Sequence, residues 1–242
     1  MRITKNYFVY STLLAAVSLS ATASAATASL VFEMKQPTTG TISYTGGSNP
    51  LMGANISVAN IIGLNTSSNA NVPSQCMSCT LNFSSGSFGG ITTPGGVKTW
   101  NFTNGGSITV MGGVDLGSNS TVDIPLSTTL LSGVFSSASV TQATNGNFGL
   151  RIAQGSFSDS KDATLLAFYG LPIGVSYDGD LSIDFVAKKL QGNSDSNAFG
   201  SASIMEGTIA NSPVPVPLPA AAWLMLCALG GIFGFAKRTQ RT

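Results

Sequence analysis

The chain has 242 residues, of which 43% are hydrophobic and 9% charged, and its formal net charge at pH 7 is +1. It contains no histidine, which excludes Ser-His and Cys-His nucleophilic catalysis in their usual forms and removes the most common transition-metal ligand. A chain of this length can bury one sizeable hydrophobic core.

The N-terminus has the three parts of a secretory signal peptide. Arg2 and Lys5 give it a positive start, residues 7–19 are apolar, and Ala23 and Ala25 flank one residue in the small-x-small pattern of a cleavage site. The apolar stretch is too short to span a bilayer as a helix. We therefore predict a signal peptide over residues 1–25 that directs export by the Sec route.

The next part of the chain alternates apolar and polar residues in short blocks separated by Gly, Asn and Ser. A period of two residues is typical of half-buried strands. The blocks lie at residues 29–34, 40–44, 56–62, 80–83, 97–102, 107–110, 130–134, 148–157, 181–186 and 203–205. We predict an exported β-rich domain over residues 26–210, an all-β antiparallel β-sandwich or jelly-roll-like barrel.

Two local signals interrupt or join these blocks. Asn104-Gly105 is typical of a primed two-residue turn and predicts a hairpin between its flanking blocks. Residues 162–169 begin with Asp162 and are followed by Gly170 and Pro172, which predicts a short helix, with a loop as the alternative.

Cys76 and Cys79 form the most distinctive motif of this domain. A redox-active pair would open a helix in a βαβ unit, whereas here a strand begins at Thr80. Zinc needs four ligands, and the chain has only one more cysteine, Cys227, and no histidine. A structural disulfide that closes the loop before the strand is the favoured interpretation, with free thiols and a redox or metal site as alternatives.

The acidic residues suggest two kinds of site. Asp178-Gly179-Asp180, with Asp184 nearby, has the clustered oxygens of a calcium loop, although Asp-Gly is also an ordinary turn signal and the turn is favoured. Asp115, Asp123, Asp178 and Asp184 are also the candidates for the two catalytic carboxyl groups of a glycosidase. No motif supports that pair, and we predict neither a metal nor a cofactor.

Four aromatic residues are candidates for a sugar-stacking platform, because aromatic faces pack on the apolar faces of sugars. They are Tyr44, Trp100, Tyr169 and Tyr177. Packing in the hydrophobic core is the favoured interpretation of the same residues.

The C-terminus has the composition of a membrane anchor. Residues 211–219 are rich in proline and predict an extended tether. Residues 220–236 carry no charge and as a helix would extend about 25 Å, close to the lower limit for a bilayer span. Lys237, Arg238 and Arg241 follow and predict a basic cytoplasmic tail over residues 237–242.

The order of these parts is specific. Val216-Pro217-Leu218-Pro219-Ala220 stands directly before the apolar stretch, and the basic cluster ends the chain. This arrangement resembles the VPLPA variant of the PEP-CTERM sorting signals. The resemblance covers about a tenth of the chain. It implies processing near Pro219 by an exosortase, a membrane protease of Gram-negative bacteria that make extracellular polysaccharide. An ordinary membrane anchor is the alternative.

Loss of both ends changes the charge of the domain. Five of the 11 basic residues lie in the signal peptide or the tail, which leaves six against 10 acidic residues, a net charge of about −4. Such a domain lacks the basic surface that nucleic-acid binding requires.

The sequence therefore predicts a non-catalytic secreted or cell-surface protein without a cofactor. Its predicted route is export by Sec, anchoring in the inner membrane before processing, and then the cell surface or medium. The predicted partners are an exosortase-like protease, the membrane through the C-terminal helix, and extracellular polysaccharide. A carbohydrate-binding module and a weak glycoside hydrolase are the alternative functions.

Overall fold

The computed structural model describes residues 27–142, 147–190 and 192–214. In these residues 13 strands join one continuous sheet with antiparallel pairing between neighbours. The elements are β1 Ser29–Met34, β2 Thr41–Tyr44, β3 Leu51–Ser57, β4 Asn60–Leu64, β5 Pro73–Ser84, β6 Phe88–Thr92, β7 Thr99–Phe102, β8 Ser107–Asp115, β9 Ile124–Phe135, β10 Ala138–Gln142, β11 Asn147–Lys161, α1 Ala163–Tyr169, β12 Tyr177–Lys189 and β13 Phe199–Pro213.

The predicted alternation places every second side chain of a strand inside the molecule. In β1, Leu30, Phe32 and Met34 are buried while their neighbours are only partly covered. The same pattern runs through β12 from Tyr177 to Phe185. Because successive side chains of a strand point to opposite faces, one face of the sheet forms the core. The prediction of an antiparallel all-β fold is confirmed.

Eight of the strands close into a barrel. The ring runs β13, β1, β4, β5, β8, β9, β11 and β12, and β12 pairs again with β13. Strands β2 and β3 form a second bridge between β13 and β5, and β10, β7 and β6 extend from the N-terminal half of β11. Closure gives the ring strands a hydrogen-bonded neighbour on each side.

Helix α1 confirms the predicted helix that follows Asp162. The Asp162 carboxylate accepts a hydrogen bond from the Leu165 N–H at 3.0 Å, and Gly170 ends the helix in the left-handed conformation. Tyr169 is fully buried and its hydroxyl lies 2.8 Å from the carbonyl oxygen of Ile61. The helix is thereby fixed to β4.

The hairpin predicted at Asn104-Gly105 is wrong. Strand β7 pairs with β6 and β10, whereas β8 pairs with β5 and β9. The connection packs instead against the segment after β5, since a Cβ atom on Gly106 would overlap the carbonyl of Ser85 at 2.6 Å. Gly106 has a φ of +80°, so the glycines here serve a close approach of two backbones rather than a two-residue turn.

The predicted start of the tether at residue 211 is also corrected. Strand β13 continues to Pro213, with Asn211 opposite Leu30 and Pro213 opposite Tyr177. The predicted signal peptide, the predicted membrane helix over residues 220–236 and the predicted basic tail lie outside the described residues. Within the described residues no helix has the length and apolar character needed to cross a membrane.

Candidate functional site

Cys76 and Cys79 lie within β5 and not in a loop before it, which corrects their predicted placement. The structure pairs them as a disulfide with Cα atoms 5.4 Å apart. The register of β5 against β8 shifts between Met77 and Thr80, so the intervening residues bulge opposite Gly112. A Cβ atom on Gly112 would lie 2.6 Å from the Cys79 sulfur, and glycine therefore leaves space for the pair.

The predicted turn at Asp178-Gly179-Asp180 is wrong, because these residues lie within strand β12, near its start. Asp178 and Asp184 are both partly exposed and point away from the core. Gly179 points inward, where a Cβ atom would collide with the ring of Phe157. The described part of the chain contains no group of three or more acidic or cysteine side chains arranged to hold a metal ion.

Asp115 and Asp123 are used by the loop after β8. The Asp115 carboxylate is buried and accepts hydrogen bonds from the backbone N–H groups of Asn119 and Ser120, both at 2.8 Å. Asp123 accepts the N–H of Leu116 at 2.9 Å. Hydrogen bonds of this kind satisfy the backbone of a tight connection. These two carboxylates hold a loop, whereas Asp178 and Asp184 belong to β12.

The four aromatic residues of the candidate sugar platform are all in the core. Trp100 is 3% exposed, and Tyr44, Tyr169 and Tyr177 are 0% exposed. The Trp100 indole N–H donates to the carbonyl oxygen of Asn197 at 3.1 Å. Because these rings are covered, the structure does not bring them together as a surface for stacking on a sugar.

An open groove of about 340 Å³ lies above Trp100. Lys98, Lys188 and Lys189 line it together with the amides of Gln142 and Asn197. The Lys98 ammonium lies 3.0 Å from the Asn197 side-chain oxygen and 4.5 Å from the centre of the Trp100 ring. Three of the six basic residues between residues 26 and 219 thus meet at one place, although acidic residues outnumber basic ones in that range.

A second polar site lies inside the barrel, where β11, β12 and β13 run side by side. The side chains of Asp159 and Lys161 are 0% exposed and form an ion pair. Asn211 is 1% exposed, and its amide N–H donates to the other Asp159 oxygen at 2.6 Å. The Lys161 ammonium also lies 4.0 Å from the centre of the Tyr177 ring. One carboxylate therefore connects an amine and an amide.

Burial dominates the electrostatics of this cluster. It raises the pKa of the Asp159 carboxyl to about 6 against the opposing effect of Lys161, and it lowers the pKa of Lys161 to about 8. Burial also raises the pKa of Tyr177 to about 12, with a smaller contribution from the Asp159 charge. The Tyr177 hydroxyl donates to the carbonyl oxygen of Pro172 at 2.6 Å. Burial thus shifts the pKa of each of these three groups in the direction of its neutral form.

Reasoning from the sequence missed this cluster. Asp159 and Lys161 stand two apart in a strand, which places both on one face, and that spacing is the one signal the sequence contains. Nothing local indicates that the face is the inner one or that Asn211 lies beside it. Comparisons with models of known families, with curated proteins and with solved structures gave no match.

Proposed function

We propose that the chain is a non-catalytic secreted or cell-surface protein of a Gram-negative envelope or polysaccharide matrix. It is exported by Sec, anchored through residues 220–236, and processed near Pro219 by an exosortase-like protease. The observation that carries this proposal is the tail itself. A Val216-Pro217-Leu218-Pro219-Ala220 motif, an uncharged stretch and a basic end follow one another without a gap.

The geometry of the described domain supports a structural role. Asp115 and Asp123 hold the backbone of a loop, and the four aromatic residues fill the core. Two of the four candidate carboxylates and all four candidate aromatic residues are thus engaged in folding. Strand β13 is the last described element, and the predicted tether follows it directly. Because the last strand of the barrel leads directly into the predicted tether, cleavage in the tail would release the whole barrel as one unit.

The motif can be tested in the bacterium that makes the chain. Replacing Pro217 and Pro219 with alanine removes the motif but leaves the apolar stretch and the basic end. We expect the double variant to accumulate in the membrane at full C-terminal length, while the unaltered protein reaches the surface or medium in a shortened form. Pro215→Ala, just outside the motif, is the control. Equal release of the double variant would contradict the proposal.

Polysaccharide contact is a second function, favoured by the groove above Trp100. Lys98, Lys188 and Lys189 present positive charge beside amide groups that can hydrogen-bond to hydroxyls, and an anionic polysaccharide would match both. We expect binding to a polyuronate to weaken in Lys188→Gln/Lys189→Gln and with added salt. Lys35→Gln is the control because Lys35 pairs with Glu33 at 2.7 Å. Unchanged binding in the double variant would contradict polysaccharide binding at this groove.

A further inference from the structure

Lys161 and Asn211 each contact one oxygen of the buried Asp159 carboxylate inside the barrel. We propose that the Lys161 amine and the Asn211 side-chain amide join in an intramolecular isopeptide bond, with the Asp159 carboxyl carrying the protons. The bond links β11 to β13 across β12 and forms only in the folded chain. It is independent of the function proposed above.

The two reacting groups are held by one carboxylate. Lys161 contacts one oxygen of Asp159, and the Asn211 amide nitrogen donates to the other oxygen at 2.6 Å. Within the described residues the side-chain carbonyl oxygen of Asn211 (Oδ1) is buried without a hydrogen-bond partner. No hydrogen bond to this oxygen therefore restrains the amide group. Because Lys161 and Asn211 contact the same carboxylate, they are held near each other, and such proximity accelerates a reaction between two side chains.

Gly179 keeps the path between the strands open. It stands opposite both Asn211 in β13 and Phe157 in β11. A Cβ atom at this position would collide with the Phe157 ring and with the Asn211 amide nitrogen. The lack of a side chain in β12 thus allows Asn211 to reach Asp159 over the intervening strand.

Burial shifts the protonation equilibria of Lys161 and Asp159 toward the neutral species that the reaction requires. The amine must be uncharged to act as a nucleophile, and burial disfavours its charged form. Burial also favours the protonated carboxyl of Asp159. A proton passed from the Lys161 ammonium to Asp159 converts the ion pair into both reactive forms without a change in net charge.

The atoms balance with no co-reactant. The Lys161 nitrogen attacks the Asn211 side-chain carbon and forms the new C–N bond. The protonated carboxyl gives its proton to the Asn211 amide nitrogen and takes one from the attacking nitrogen. The former amide nitrogen leaves as ammonia when the old C–N bond breaks, and ammonia then takes the remaining proton. The carboxylate of Asp159 is restored, and no electron acceptor is involved.

Mass spectrometry of the full chain tests the cross-link. After purification in the folded state, reduction and proteolysis, we expect one peptide that contains both Lys161 and Asn211 and is lighter than the sum of its parts by one ammonia. Separate peptides of full mass carrying Lys161 and Asn211 would overturn the proposal. This measurement is made on the unaltered protein and does not depend on whether a variant folds.

Variants add a chemical check. Lys161→Arg and Asn211→Ser cannot form the bond and should show no loss of mass, and Asp159→Asn should leave Lys161 and Asn211 separate. Asn211→Asp retains a carbon that the amine can attack and should lose one water instead of ammonia. A loss of ammonia that persists in Lys161→Arg would show that it comes from another site and would also overturn the proposal.

Discussion

Asp159 and Lys161 occupy a core position where neither charge is solvated. Removing two charges from water costs several kcal/mol each, which their mutual attraction offsets only with good geometry and further hydrogen bonds. Asn211 and the Tyr177 ring supply such contacts at 2.6 Å and 4.0 Å. Fixed partners of this kind specify one arrangement of β11, β12 and β13, at a cost that depends on pH.

The pH dependence follows from the two pKa values. Between about 4 and about 6 folded Asp159 holds a proton that the unfolded chain has lost, so its contribution to the free energy of unfolding falls as pH rises. Between about 8 and about 10.5 folded Lys161 is neutral while the unfolded chain is charged, so its contribution rises with pH. We predict that the contribution of Asp159 and Lys161 to the free energy of unfolding is lowest between about pH 6 and about pH 8.

Denaturant unfolding of Asn211→Ser measures this effect, because Lys161 remains a free amine in that variant. The reference is the same chain with Asp159→Asn and Lys161→Met added, which removes both charges. The difference in free energy of unfolding between the two should be lowest near pH 7 and higher near pH 4 and pH 10. A maximum near pH 7 would contradict the assignment of burial as the dominant cause.

Single residues also mark where the sequence misled. Asp-Gly predicts a turn at Asp178-Gly179, yet Gly179 is a strand residue that is small because Phe157 and Asn211 pack against it. The requirement lies in residues far along the chain. A local pattern contains no information about such a contact, and for the same reason Asn211 was not predicted as a member of a site.

At the scale of elements, α1 shows how a short helix is fixed at its ends. Its seven residues are too few for stability on their own. The Asp162 cap and the buried side chains of Leu165, Leu166 and Tyr169 compensate for that. We expect Asp162→Ala to lower the free energy of unfolding by about 1 kcal/mol, since one backbone N–H loses its partner.

The matched variant for this cap is Asp162→Ser, whose hydroxyl can accept the same hydrogen bond. Thermal or denaturant unfolding should place it close to the unaltered chain and well above Asp162→Ala. If both variants lost the same stability, the carboxylate charge and not the cap would be the stabilising feature.

The β5 bulge gives a prediction for the cysteines. Replacing Cys76 and Cys79 with serine should lower the free energy of unfolding by about 2 kcal/mol, because the disulfide closes only a short loop in the unfolded chain. The loss should match the effect of a reductant on the unaltered chain. Alkylation before reduction should label neither residue, and labelling of both under oxidising conditions would contradict the disulfide.

The elements were predictable where the pattern was long and regular. Strand β1 has the predicted bounds, and α1 was marked by its cap and its final glycine. Strands β6 and β10 were missed, because each has only five residues and few large apolar side chains, which gives little alternation. Their place in the sheet depends on pairing with β7, which lies far from β10 in the chain.

At the scale of the whole molecule, the chain joins a closed barrel to a predicted sorting tail. Strand β13 pairs with β1, β2 and β12 before it leads to the tail. A pull on the tail would therefore act on a strand held from both sides, and the proposed bond between Lys161 and Asn211 would resist it covalently. The fold class could be predicted from alternation, whereas closure could not, because it depends on pairing between β12 and β13 and between β13 and β1.

The most direct test of the account is the mass and location of the protein in the cells that make it. The chain is recovered separately from membranes, cell surface and medium, and both ends are determined by mass spectrometry. We predict a surface or released form that begins after Ala25 and ends near Pro219. A chain found only in the membrane with residues 220–242 intact would contradict the sorting role and identify an ordinary membrane anchor.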